Sequence, residues 1–152
     1  MNRPKIGDVI EIDTGDGLAY CHYSHRDKMF GYLLRVFNQR YVQRPVDLAA
    51  AVGGKPAFYQ FFPLGTYVHR GVVTIAGNVP LSEEATVFPL FRSGLADRTG
   101  KITNWWLWDG VREWPIGPLP DELRKLSLRG VCNDLFLIDR ILSGWTPEKD
   151  PI

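Results

Sequence analysis

The chain is poor in the residues that usually announce a chemistry. It holds two cysteines and three histidines in 152 residues, and no CxxC pair, so a disulfide framework and a paired-cysteine zinc ribbon are excluded. GxSxG, Walker and HExxH patterns are also missing, which removes the common hydrolase, nucleotide and metalloprotease signatures. Charge of either sign is not in excess: the formal net charge is +1. That balance gives no electrostatic footprint for nucleic acid, no basic run for a membrane surface, and no acidic surface to neutralise a basic nuclease. No apolar run reaches the length of a signal peptide or a membrane span, so a cytoplasmic protein is expected. Repeats and low-complexity tracts are absent.

What is present is ordinary in bulk. Hydrophobic residues make up 45% and charged residues 23%, as in a soluble globular domain. A chain of this length buries roughly 70% of its unfolded surface, enough for a core without staples. One domain over residues 1–152 is expected, ordered from about residue 4 to 147. Cys21 and Cys132 lie in apolar surroundings, LAYCHY and RGVCND. A disulfide between them stays open, but free buried thiols suit a reducing compartment better.

Local patterns predict an α+β fold: an antiparallel, strongly bent sheet or partial barrel, with one short inserted helix and two carboxyl-terminal helices. VIEID (residues 9–13) alternates as a half-buried strand does. Gly15-Asp16-Gly17 turns the chain into a second strand, Leu18 to His25, and Tyr32 to Phe37 reads as a third. PVDLAAAV is a short helix opened by Pro45 and ended by Gly53-Gly54. AFYQFF and TYVHRGVVTIAG read as strands, and VFPLF as an edge strand interrupted by proline. PDELRKL is expected as a helix with acids in its first turn. Asn133 caps a last helix carrying Leu135, Ile138 and Leu142 on one face. Gly144 closes that helix, with Trp145 folding back onto it, and TPEKDPI reads as a frayed tail.

The densest feature is WWLWDGVREW, with four of the five tryptophans. Asp109-Gly110 between aromatic runs predicts a two-residue type I′ hairpin. Counting outward pairs Trp108 with Val111, Leu107 with Arg112, Trp106 with Glu113, and Trp105 with Trp114. One face then holds Thr103, Trp105, Leu107, Arg112, Trp114 and Ile116, and is assigned to the core. The other holds Ile102, Asn104, Trp106, Trp108, Val111 and Glu113. Either a helix covers this second face, or it is a partner-binding patch of aromatic anchors with polar neighbours.

Among titratable groups, His22, His25, His69 and Asp13 are the only pool from which a metal site can be assembled. His22 and His25 are three apart, which on a regular strand places them on opposite faces, so chelation needs a bulge. Asp13 and Asp16 read as turn acids, and Asp121 and Glu122 as helix-start acids.

Taken in order, GDVIEI, FGYLLRVF, RPVDL, FFPLG, RGVVTIAGNVP, FPLFRSG, GKITNWWLWDGVREWPIGPL, LRKLSLRGVCND and LIDRILSGWTP resemble the immunity protein 26 family. The resemblance runs from Gly7 to Pro147. It implies an immunity protein of a bacterial polymorphic-toxin system that binds and neutralises a cognate toxin domain. The same family label also covers a small phosphotriesterase. The leading expectation is therefore a non-enzymatic protein without a cofactor that occludes its toxin through Asn104, Trp106, Trp108 and Glu113, with Asp109 at the turn. A metal-assisted phosphotriesterase using a divalent ion on His22, His25, His69 and Asp13 is the second. A module that stacks a small ligand on tryptophan is the third.

Overall fold

The computed structural model describes residues 3–150. β1 (Asp8–Asp13), β2 (Leu18–Asp27) and β3 (Gly31–Val36) form the expected meander. β4 (Phe58–Phe61) joins the free side of β3, and β5 (Val73–Asn78) that of β1. The result is a five-stranded antiparallel sheet of order β4-β3-β2-β1-β5. Period-two alternation sends Ile10, Ile12, Ala19, Cys21, Tyr23, Leu34 and Val36 to one face, where Leu64, Leu137 and Ile141 close the core. On the opposite face Val9 and Tyr20 lie under Ala51 and Val52, at the end of α1 (Leu48–Ala51).

A second sheet holds β6 (Phe91–Gly94), β7 (Trp105–Trp108), β8 (Glu113–Gly117) and β9 (Ser127–Leu128) in the order β8-β7-β6-β9. Its β6–β9 pair is parallel. The α+β class is as expected, but the strands form two sheets of open order, neither closed into a barrel. Leu33 and Phe61 of the first sheet pack with Phe91 and Trp108 of the second, and a parallel bridge pairs Phe61 with Val131.

Several elements differ from expectation, each for a local reason. The inserted helix starts at Leu48, not at Pro45, because the Asp47 carboxylate accepts from the Ala50 amide and caps it there. The first half of TYVHRGVVTIAG is helical: α2 (Leu64–His69) follows Pro63, and its Leu64, Tyr67 and Val68 reach the core at helical spacing. Gly71, at φ 73°, takes the left-handed conformation just past that helix, and the strand begins only at Val73. VFPLF is not an edge strand. Pairing starts at Phe91, beyond Pro89, and β6 then has neighbours on both sides. PDELRKL makes one 3-10 turn at Asp121–Leu123 and runs into β9, so a single α-helix, α3 (Asp134–Leu142), ends the fold.

Asn133 caps α3 through the Phe136 amide, at 2.9 Å. Its inner face is Leu137, Ile138 and Ile141, while Leu135 stands 71% exposed. The Gly144 amide donates to the Ile141 carbonyl and the Trp145 amide to that of Arg140, the paired bonds of a Schellman motif. Trp145 folds back onto the helix as expected, its ring centroid 3.6 Å from the Arg140 guanidinium, and also meets Phe58 edge-on at 5.1 Å. The segment after it is anchored: Arg92 donates to the Pro147 carbonyl at 2.8 Å and Arg124 to that of Asp150 at 2.6 Å. The rest of the expected tail, residues 151–152, lies outside the described residues.

Cys21 and Cys132 are free thiols. Burial pushes them up to about 12 and about 11, so neither is a nucleophile at neutral pH. No helix among the described residues is long and apolar enough to cross a membrane.

Candidate functional site

The tryptophan hairpin forms with another register. Trp108 pairs with Glu113, Leu107 with Trp114, Trp106 with Pro115, and Trp105 with Gly117 across a bulge. The loop is therefore four residues, Asp109 to Arg112. A type I′ turn needs positive φ at both central residues, and at Asp109-Gly110 only Gly110 has it. The Asp109 carboxylate organises the loop, accepting from the amides of Arg112 at 2.7 Å and Val111 at 2.9 Å. Those two bonds hold its carboxyl below the ordinary range. Asp109 thus shapes the tip and does not line the groove described below.

Burial does not divide the hairpin into a core face and a free face. β7 is an interior strand, and Trp105, Leu107 and Trp108 are all buried. Trp108, expected on the open patch, is a core residue ringed by Phe30, Phe61, Phe88 and Phe91 at centroid distances of 5.3–6.0 Å. Trp105 covers the guanidinium of fully buried Arg92 at 4.8 Å. Trp114, assigned to the core, is 37% exposed on the edge strand β8. Trp106 is the only β7 residue left exposed.

Trp106 opens onto a groove of about 490 Å³ shared with Asn104, Glu113, Ser93 and Arg129. β6 supplies Ser93 directly across from Trp106, and β8 supplies Glu113. Arg129 follows β9, whose parallel pairing carries it there; its amide donates to the Arg92 carbonyl. The Arg129 guanidinium pairs with the Glu113 carboxylate and lies 5.3 Å from the ring centroids of both Phe30 and Trp108. Packing on two rings fixes the cation, and the cation fixes Glu113. The groove so holds one aromatic wall, an amide, a hydroxyl and a charge-balanced pair.

Three of the five predicted contact residues, Asn104, Trp106 and Glu113, are thus gathered in one concave site. Arg129 and Ser93 were missed. Arg129, the basic residue of LRGVCND, was in plain view, but nothing local says that β9 runs parallel to β6.

The metal pool does not converge. β2 does bulge between Tyr23 and His25, so His22 pairs with Arg35 and His25 with Leu33, two residues on the same face of β3. The bulge that chelation would need is therefore present, yet these two imidazoles are bonded elsewhere. His22 Nδ1 accepts from Arg35 at 3.0 Å, and its Nε2 meets the carbonyls of Val79 at 2.8 Å and Gly7 at 3.1 Å. His25 bonds Ser24 and the Thr86 carbonyl. His69 ends α2, and Asp13 accepts from the Gly15 amide in the first turn. Among the described residues no group of three His, Cys, Asp or Glu is placed to hold a metal ion.

No protein-family model, curated protein or solved structure matches the chain.

Proposed function

We propose that this protein is an immunity protein that neutralises a bacterial toxin domain by covering part of its surface, without performing a reaction on it. The observation that carries the reading is Trp106, a half-open tryptophan beside Asn104, Glu113 and Arg129 in a groove framed by a rigid sheet. A large aromatic surface next to polar groups whose geometry is already fixed is the composition of an interface hot spot. The resemblance of the ordered segments to the immunity protein 26 family supplies the partner class. A neutral overall charge fits a partner recognised by local complementarity, not by long-range attraction.

The metal-assisted phosphotriesterase reading lacks support from the ligand pool, since its four residues are engaged separately. Stacking of a small ligand draws on the same tryptophan, and the concave shape of the groove, where a flat patch suits a protein partner, is the observation that favours this second reading.

The experiment is co-expression. A toxin domain sought in the neighbouring reading frames is induced in a host carrying the wild-type chain, a Trp106→Ala chain, or none. Growth is expected with the wild type and impaired protection with Trp106→Ala at equal soluble level. Full protection by Trp106→Ala, or killing undiminished by the wild type, would overturn the proposal.

A further inference from the structure

A larger groove of about 810 Å³ is lined by Phe30, the ring on which Arg129 packs, but not by Arg129. The end of β2, the turn and the start of β3 line it with Arg26, Lys28, Phe30 and Tyr32, and Phe62 and Thr66 line it from the segment that enters α2. Arg26 is preoriented, its guanidinium 4.7 Å from the Tyr32 ring centroid. Tyr32 is itself held edge-on against Tyr23 at 5.2 Å. Neither Arg26 nor Lys28 forms an ion pair among the described residues.

The one carboxylate in the groove wall is Asp27, whose Oδ2 accepts from both the Met29 and the Phe30 amides at 2.9 Å. The turn ties that carboxylate to its own amides, and with Arg26 and Lys28 beside it the groove wall keeps a positive balance of charge. Met29, 83% exposed, gives the rim an apolar edge. Two cations, hydroxyls from Tyr32 and Thr66, and a half-buried phenyl wall suit a charged oxyanion attached to an apolar body.

We propose that this groove is a binding site for a small organic anion, a phosphate or carboxylate carrying an aromatic ring. The charge sits between Arg26 and Lys28, and the ring lies against Phe30. The site is separate from the Trp106 groove, so it stands or falls independently of the toxin reading.

The test is titration of the full chain with phenyl phosphate, followed by amide NMR shifts and calorimetry. Saturable shifts are expected in residues 26–32 and 63–66, with affinity reduced about tenfold or more by combined Arg26→Ala and Lys28→Ala substitution. Benzyl alcohol, the neutral comparison, is expected not to saturate the same amides. Both substituted residues are exposed, so the variant is expected to melt with the wild type. Absence of saturable shifts, equal affinity in the folded double variant, or equal binding of benzyl alcohol would each overturn the proposal.

Discussion

Trp106 and Trp108 stand two residues apart on one strand and share a side of it, yet one faces solvent and the other is enclosed by four phenyl rings. Alternation sorts side chains between faces but does not say how far along a face the covering layer extends. Trp108→Ala is expected to cost ~3–5 kcal/mol, since it empties a packed aromatic cluster, whereas Trp106→Ala is expected to stay within about 1 kcal/mol. Urea denaturation of the two variants checks the contrast. His22 gives a second expectation. Burial holds its imidazole below the ordinary value of 6.5, and the neighbouring Arg35 cation pushes the same way. A lowered folded value means full stabilisation above pH 6.5. Stability then falls as pH drops below that, when the unfolded chain takes up the proton first. Melting temperatures between pH 7.5 and 5 are expected to decline, and His22→Gln to flatten part of that slope. Glu11, held low mainly by its bond to Arg44, acts in a separate window below about pH 4.5.

Two element boundaries offer direct checks. Gly110 has φ 95°, and a Cβ there would come within 2.8 Å of the Phe88 ring. Gly110→Ala is expected to destabilise by more than ~1 kcal/mol, because neither the backbone nor the ring accommodates it. Asn133→Ala removes the cap of α3 and is expected to cost ~1 kcal/mol by the same denaturation measurement. Signals of this local kind were legible: the meander, the Asn133 cap, the Gly144 and Trp145 closure, and the hairpin itself. Elements decided by distant contacts were not. α2 reads as strand because its β-branched and aromatic residues favour one, but Leu64, Tyr67 and Val68 find the core at helical spacing. Asp-Gly marks a turn without fixing its length, and the four-residue loop set by Asp109 shifts the register that a two-residue count implies. The 3-10 turn at Asp121–Leu123 gives way to β9 because Ser127 and Leu128 pair with β6, a parallel contact that no neighbouring residue announces.

At the scale of the molecule, the aromatic cluster couples the sheets: Leu33 and Phe61 come from the first, Phe91 and Trp108 from the second. Near- and far-ultraviolet circular dichroism are expected to report one coincident thermal transition, and separate transitions would show that the sheets unfold independently. The same cluster reaches the Trp106 groove, since Arg129 links Trp108 to Glu113. The groove is where sequence and structure meet most closely: Asn104, Trp106 and Glu113 were legible from the hairpin, Ser93 and Arg129 only from the fold. The decisive measurement for the proposed function is calorimetric titration of a toxin domain found in the neighbouring reading frames into the wild-type chain and into Trp106→Ala. A loss of ~2 kcal/mol or more of binding energy at an unchanged melting temperature is expected. Equal affinity for the two chains would contradict the assignment of this groove to the partner.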